Sequence, residues 1–257
     1  MEDYGVALVT GAGSGIGQAT AMLLAEKGAR VVVTDISEAG ISDTINKIEE
    51  KGGKALGKRL DVSNSDDIDA AFAAAESWDK CVDVLVNNAG IVNIHSFLDY
   101  TAHDWHQVMQ VNLTGSFLCA QRAAREMAKQ SYGRIMASVS GLRAGVGRTA
   151  YGTSKAAIIG LTRQIALEMG PHGITANAIA PGPIMTPLVE ANYTEETISR
   201  LLPMIPVGRF GSCADIGDAV CYLANPKSGY VNGEILTVDG GDFSSDIDYP
   251  KNAARSG

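Results

Sequence analysis

The feature that most constrains this chain is a regular alternation of short apolar segments with longer segments of helical period. Five apolar runs, rich in β-branched residues, are predicted as buried strands: 6–10, 30–35, 82–87, 134–139 and 174–180. Helical periodicity lies between them, over 15–27, 37–51, 64–77, 101–129 and 151–170. Strands that are apolar on both faces need helices on both sides of the sheet. The sequence therefore predicts an α/β fold with a doubly wound parallel sheet.

The chain is predicted to form one domain. Its 257 residues include 46% hydrophobic and 19% charged residues, which is ordinary for a globular protein. No Pro/Ser-rich linker, repeat or shift in composition divides the sequence. We assign 1–242 to the domain and 243–257 to a polar C-terminal tail.

Charge and cysteine content exclude several classes of protein. A net charge of −8 and a pI near 5.0 argue against nucleic-acid or anionic-membrane partners. No apolar run reaches the roughly 18 residues of a membrane span. No C-x-x-C pair or histidine cluster predicts a metal site. Free thiols and a cytoplasmic location are expected.

A strand, a glycine turn and a helix open the sequence in "VALVTGAGSGIGQATAMLLAEKG". Glycine permits positive φ and close approach of a ligand to the backbone, and a helix N-terminus suits a pyrophosphate. The pattern T-G-x-x-x-G-x-G predicts a dinucleotide site; a tight turn without a ligand is the alternative. The residues assigned to this site are Gly11, Ser14, Gly15, Ile16 and Gly17.

An acid at the end of the second strand predicts which dinucleotide binds. Asp35 lies eighteen residues past Gly17, where a carboxylate accepts hydrogen bonds from ribose hydroxyls and repels a 2′-phosphate. Neither Ser14 nor Ile36 supplies a cation for that phosphate. NAD(H) is therefore favoured over NADP(H). Asp61, followed by Val62, is either an adenine contact or an acid of a helix N-cap region.

Tyr151 and Lys155 lie one helical turn apart in "AYGTSKAAIIG". Positions i and i+4 share a helix face, and an adjacent ammonium favours the ionised form of a phenol. The pair predicts an acid/base group beside the cation that tunes it. Taken alone, the spacing also fits simple surface decoration.

With these motifs in place, the chain from Val6 to Gly241 closely resembles the short-chain dehydrogenase/reductase family. The resemblance rests on the ordered motifs "TGAGSGIG", "NNAG", "MQVNLTG", "IMASVSG", "YGTSK", "PGPIMT" and "VDGG". It implies a Rossmann-like sheet of about seven strands with helices on both faces. It also implies a substrate lid over 187–210 and a homotetramer with helices 101–129 and 151–170 at an interface.

The resemblance implies a catalytic tetrad. Tyr151 exchanges the proton of the substrate oxygen, and Lys155 tunes it and binds the nicotinamide ribose. The serine thirteen residues before the tyrosine, Ser138, polarises the substrate oxygen, while Ser140 is the second choice and lines the pocket. Asn112 holds a water beside Lys155.

Further contacts to the cofactor and the substrate are implied in the same way. The adenosine ribose is expected against Asn88, Ala89 and Gly90. The nicotinamide end is expected against Pro181, Gly182, Ile184 and Thr186, and Thr186 also suits a helix N-cap ahead of Pro187. Candidate substrate contacts are Ser140, Arg148, Asn93, His95 and Leu188. For Arg148, a solvated arginine or a subunit contact is the alternative.

The predicted reaction is NAD(H)-dependent interconversion of a secondary alcohol and a ketone, on a polyol, sugar or hydroxy acid substrate. The alternative enzyme is a 3-oxoacyl-[acyl-carrier-protein] reductase, which Asp35 and the acidic surface disfavour. A non-catalytic dinucleotide sensor is a third, remote possibility.

Overall fold

The computed structural model describes residues 4–138 and 145–242. In these residues seven parallel strands form one sheet, in the order β3-β2-β1-β4-β5-β6-β9, and two short strands form a separate pair, β7 with β8. The strands are β1 Val6–Thr10, β2 Arg30–Asp35, β3 Lys54–Arg59, β4 Val84–Asn87, β5 Gly133–Ser138, β6 Ile174–Pro181, β7 Ile184–Met185, β8 Gly211–Ser212 and β9 Ile235–Val238.

Helices follow the strands and cover the sheet. They are α1 Gly15–Glu26, α2 Glu38–Glu50, α3 Ser65–Trp78, α4 Ala102–Met109, α5 Ser116–Gln130, α6 Thr149–Met169, α7 Pro187–Asn192, α8 Glu195–Leu201 and α9 Cys213–Ala224. The predicted doubly wound α/β fold is confirmed, and the five predicted strands all lie in the large sheet.

Both faces of the sheet are buried, because alternate residues of each strand enter different cores. Val31 and Val33 pack with α1 and α9 on one face, whereas Val32 packs with α3 and α5 on the other. The strands can therefore be apolar along their whole length. This explains why they appear in the sequence as continuous apolar runs.

The strand order reverses between β1 and β4, and this reversal determines where a ligand can bind. From β1 the chain proceeds outward to β2 and β3, whereas β4 leads to β5 and β6 on the other side. The loops after β1 and β4 consequently diverge and leave a crevice at their carboxyl ends. Thr10 and Asn87 end the two strands that border it.

One predicted element differs: 101–129 is not a single α-helix. A π-helical segment, Gln110–Gly115, separates α4 from α5. Within it the backbone oxygen of Asn112 accepts a hydrogen bond from Ser116 Oγ at 2.8 Å. Gly115 has no space for a side chain, since a Cβ there would lie 2.7 Å from the carbonyl oxygen of Val62. Hydrophobic periodicity alone does not reveal such a π turn.

The region expected to form the lid, 187–210, contains α7, α8 and a short 3₁₀ turn at Leu202–Met204. Of its apolar residues, Ile205 is buried beside Gly240, whereas Met204 is exposed. The expected tail, 243–257, lies outside the described residues. None of the described helices is long and apolar enough to cross a membrane.

Candidate active site

The glycine turn after β1 folds tightly onto the start of α1. Gly11 and Gly15 have φ of +64° and +56°, values that favour glycine. A Cβ at Gly17 would lie 2.1 Å from the carbonyl oxygen of Gly11. Ser14, at the N-cap of α1, is exposed and its side chain makes no capping hydrogen bond. The first N–H groups of α1 therefore lack a side-chain cap, as an anion site requires.

Asn88 and Thr10 join the ends of β1 and β4 at the crevice. The amide nitrogen of the Asn88 side chain donates to the carbonyl oxygens of Thr10 and Gly11, both at 3.0 Å. Thr10 Oγ1 in turn accepts from the backbone N–H groups of Asn88 and Ala89, again at 3.0 Å. These four bonds join the loop after β4 to the end of β1 and the start of the glycine turn.

Lys155 is buried between α6 and the end of β5. Its Nζ donates to the carbonyl oxygen of Ser138 at 2.9 Å and lies 5.7 Å from the ring centroid of Tyr151. The residue is only 6% exposed, and burial lowers its pKa to about 8. The structure thus brings three of the four expected catalytic residues together.

Asn112, the fourth, borders the same space from the π turn. A Cβ added at Gly90 would lie 3.2 Å from Asn112 Oδ1 and 3.6 Å from Lys155 Nζ. The Asn112 side chain accepts from the N–H of Ile91 at 2.8 Å and donates to its carbonyl oxygen at 3.0 Å. It also donates to Ser154 Oγ at 3.1 Å. Asn112 therefore connects the loop after β4 to α6.

The two acids predicted to contact the adenosine part of a dinucleotide lie in the loops after β2 and β3. Asp35 Oδ2 accepts from the backbone N–H of Gly13 at 2.9 Å. Asp61 Oδ1 accepts from the hydroxyl and the N–H of Ser63, and these bonds hold the pKa of the Asp61 carboxyl below its ordinary value. Asn64 is the N-cap of α3 and accepts from the N–H groups of Asp66 and Asp67. Val62 is buried.

The segment 181–186 approaches the glycine turn from the opposite side. Thr186 is the N-cap of α7, where its Oγ1 accepts from the N–H of Val189 at 3.2 Å, and Pro187 follows at N1. Pro187 Cδ lies 4.0 Å from a Cβ placed at Gly15. Ile184 is buried in the core. Pro181 ends β6, and Gly182 N donates to the carbonyl oxygen of Val238.

The candidate substrate contacts are positioned less firmly. Arg148, the N-cap of α6, is exposed, and within the described residues its side chain forms no ion pair. His95 donates its backbone N–H to Gly147 at 3.0 Å, so its loop lies against the turn before α6. The side chains of His95 and Asn93 both contact Asp104 of α4. Ser140 and the side chain of Leu188 lie outside the described part of the structure.

In the part of the chain that the structure describes, neither the cysteines nor the potential metal ligands form a second functional site. Its four cysteines are unpaired, and burial raises the pKa of Cys119 and of Cys221 to about 12. No group of three or more His, Cys, Asp or Glu side chains in this part is arranged to hold a metal ion.

Several residues of the site escaped the sequence reasoning. Ser154 joins Asn112 to α6 and donates to the carbonyl oxygen of Tyr151 at 2.7 Å. Ile91 engages Asn112 only through its backbone, which no side-chain pattern reveals. Gly13 carries a signal in the sequence, since it is a further glycine inside the phosphate-binding turn.

Comparison with known proteins identifies similar chains over nearly the whole length. A family model described as enoyl-(acyl carrier protein) reductase matches residues 11–242. The chain is 41% identical over 244 residues to the short-chain reductase protein NovJ of Streptomyces niveus, covering 92% of this chain and 93% of the other. It is 39% identical over 241 residues to the 3-oxoacyl-[acyl-carrier-protein] reductase FabG of Aquifex aeolicus, with 93% and 97% covered. A protein of Agrobacterium tumefaciens, crystallised with bound NADP, superimposes with a TM-score of 0.87 at 35% identity, with 93% and 96% covered.

Burial of Lys155 predicts a pH-dependent stability. The folded protein disfavours the ammonium, so the unfolded chain keeps this proton to higher pH. The free energy of unfolding of the wild type, relative to Lys155→Met, should therefore rise as the pH increases from about 8 towards the ordinary lysine value of 10.5. The rise should approach about 3 kcal/mol. Urea unfolding of the two proteins across this range measures it, with the exposed Lys54→Met as control. A constant difference between wild type and Lys155→Met would contradict the burial of a charged lysine.

Proposed function

Because the chain belongs to the short-chain dehydrogenase/reductase family of oxidoreductases, we propose that it interconverts a secondary alcohol and a ketone with NAD(H). The observation that carries the proposal is the buried Lys155 ammonium, bonded to the carbonyl oxygen of Ser138 and facing the ring of Tyr151. A cation buried beside a phenol at the carboxyl edge of the sheet suits acid/base chemistry.

Tyr151 is proposed as the acid/base group. Its phenol gives a proton to the carbonyl oxygen during reduction and takes the hydroxyl proton during oxidation. With a pKa of about 8, Lys155 is mostly an ammonium near neutral pH, so a positive charge lies 5.7 Å from the centroid of the Tyr151 ring. The bound nicotinamide supplies the hydride donor or acceptor.

Ser138 and Asn112 complete the proposed tetrad. The Ser138 hydroxyl donates to the substrate oxygen, where a fixed donor stabilises developing negative charge. Its own backbone carbonyl anchors Lys155, so one residue at the end of β5 serves both groups. Asn112 positions the loop after β4 against α6 and borders the space in which a water beside Lys155 is expected.

Two features support a dinucleotide in the crevice: a side chain would clash at Gly11, Gly13 or Gly17, and the N-cap residue of α1 makes no side-chain capping bond. We propose that Asp35 binds the adenosine ribose and that its charge, with Ser14 and Ile36 beside it, favours NAD(H). NADP(H) is the alternative, since a structural relative binds NADP. The proposed dinucleotide contacts are Gly11, Ser14, Gly15, Ile16, Gly17, Asp35, Asp61, Val62, Asn88, Ala89, Gly90, Tyr151, Lys155, Pro181, Gly182, Ile184 and Thr186.

We propose a polyol, sugar or hydroxy acid as the substrate. The alternative activity, reduction of a 3-oxoacyl-[acyl-carrier-protein], is favoured by the 39% identity to FabG of Aquifex aeolicus. A net charge of −8 disfavours docking of an acidic carrier protein.

Four unpaired cysteines suit a reducing compartment, and we propose that the protein is located in the cytoplasm.

The decisive test of catalysis is Tyr151→Phe. Loss of the phenol proton should lower kcat by roughly 10²–10⁴-fold, the usual contribution of an acid/base group. NADH should still bind, as measured by its fluorescence. Tyr230→Phe is the matched control, since the side chain of Tyr230 is fully exposed. Undiminished turnover of Tyr151→Phe would refute Tyr151 as the acid/base group, whereas a wild type that binds NADH without turning over any substrate would favour a non-catalytic dinucleotide sensor.

Arg148 predicts preference for an anionic substrate. Its guanidinium can bind a carboxylate through two parallel hydrogen bonds. In assays of NADH and NADPH consumption, an α-keto acid should be reduced faster than a neutral ketone of equal size. Arg148→Gln should abolish the preference by raising KM about tenfold or more. Arg163→Gln, an exposed arginine of the same helix, is the control. Equal rates for the keto acid and the neutral ketone would show that Arg148 does not bind the substrate. Faster turnover of a 3-oxoacyl thioester with NADPH would support the alternative activity.

We further propose a homotetramer with α5 and α6 at one interface. Phe117 and Leu167 expose 41% and 74% of their surface on these helices, whereas Ile158 is buried within the chain. Leu161 and Ile165 are half-buried. Light scattering should give about four times the chain mass of 26.9 kDa, and Leu167→Asp should lower it. A monomeric wild type would refute the assembly.

A further inference from the structure

We propose that Asp35 is a positioning residue for the glycine turn, in addition to the ribose contact assigned to it above. The inference rests on the proposed dinucleotide site and concerns how this chain holds that site in shape. The Asp35 carboxylate, at the end of β2, would thereby contribute part of the affinity for the cofactor's pyrophosphate.

The carboxylate of Asp35 holds two backbone segments at once. Oδ2 accepts from the N–H of Gly13 at 2.9 Å, and Oδ1 accepts from the N–H of Ser37 at 2.9 Å. The first bond fixes the glycine turn, and the second fixes the entry to α2. Because both donors belong to the backbone, their positions follow the fold rather than a side-chain rotamer.

The glycine turn rests on α2 by further contacts. Thr44 Oγ1 donates to the carbonyl oxygen of Ala12 at 2.8 Å and accepts from Gln18 Nε2 of α1, also at 2.8 Å. A Cβ at Gly40 would lie 2.8 Å from the carbonyl oxygen of Gly13, and a Cβ at Gly13 would lie 2.9 Å from the Asp35 carboxyl carbon. The turn is therefore enclosed between Asp35 and α2.

The same bonds fix the position of the negatively charged Asp35 carboxylate. Each carboxylate oxygen has two lone pairs, so each can still accept from a ribose hydroxyl. Rotation of the carboxylate away from a 2′-phosphate would break the bonds to both Gly13 and Ser37. The negative charge is thus held in place, and discrimination against NADPH follows from a fixed group.

Binding of a probe that lacks the ribose hydroxyls distinguishes the two roles of Asp35. The probe is reduced dinucleotide whose adenosine ribose has neither a 2′ nor a 3′ hydroxyl, and its Kd is measured by nicotinamide fluorescence. If Asp35 acts only through those hydroxyls, the wild type and Asp35→Ala bind this probe equally. A positioning role predicts about tenfold weaker binding to Asp35→Ala, as expected for loss of a hydrogen bond to a charged group.

The direction in which Asp35→Ala changes the Kd of the probe excludes an explanation by charge alone. Removing a negative charge near a pyrophosphate should by itself strengthen binding. Weaker binding of the dideoxy probe therefore requires a change in the turn. Equal or tighter binding would overturn the inference. A wild type that binds neither NADH nor the probe would instead refute the proposed cofactor.

Two further variants distinguish positioning from general destabilisation. Ser37→Ala removes the side-chain cap of Gly40 N at 3.1 Å but leaves Asp35 in place, so the Kd of the probe should stay unchanged. Asp35→Asn keeps the size and one acceptor oxygen, and should restore part of the lost affinity. In the protein without cofactor, hydrogen exchange of the Gly13 amide should accelerate in Asp35→Ala and not in Ser37→Ala.

Discussion

Burial of the Lys155 ammonium is the constraint on which the centre of this molecule depends. A buried charge is costly unless hydrogen-bonded and close to groups that stabilise it. Here the carbonyl oxygen of Ser138 and the face of the Tyr151 ring offset part of that cost, and the lowered pKa of Lys155 reflects the rest. Both lie where α6 crosses the carboxyl end of β5. The position of α6 on the sheet is therefore coupled to the position of the reactive groups.

The π turn at Gln110–Gly115 lies beside the same group, since Asn112 Oδ1 and Lys155 Nζ both lie within 4 Å of a Cβ placed at Gly90. Asn112 bonds to Ile91 on one side and to Ser154 on the other, so the loop after β4 is joined to α6. A regular helix cannot make this arrangement and still present Gly115 to Val62, where no side chain fits. The irregular turn lies at the functional site, as such turns often do. Its local cost is offset by the bonds of Asn112.

Local patterns predicted the fold, whereas the choice of Ser138 beside the Tyr151 and Lys155 pair came from the family resemblance. The strands β1 and β2 have the predicted bounds, because β-branched runs flanked by glycine and polar residues leave little choice. Tyr151, Lys155 and Ser138 are brought together because a helix face and a strand end suffice to place them. The π turn, the Ile91 contact and the bonds of Asp35 to Gly13 and Ser37 were not predicted. They depend on backbone atoms from distant segments, which carry no side-chain signature.

The glycine turn and the loops near Tyr151 are built differently. At the glycine turn, backbone and side-chain bonds from β1, β2, α2 and β4 fix the backbone. The loops 91–98 and 145–148, in contrast, expose Ile94, Leu98, Val146 and Arg148. Changes in these loops disturb few other contacts, whereas changes at the glycine turn disturb many. Under the proposed function, substrate preference can therefore change at these loops while the turn is kept, and Arg148, three residues before Tyr151, is one of the residues that can change in this way.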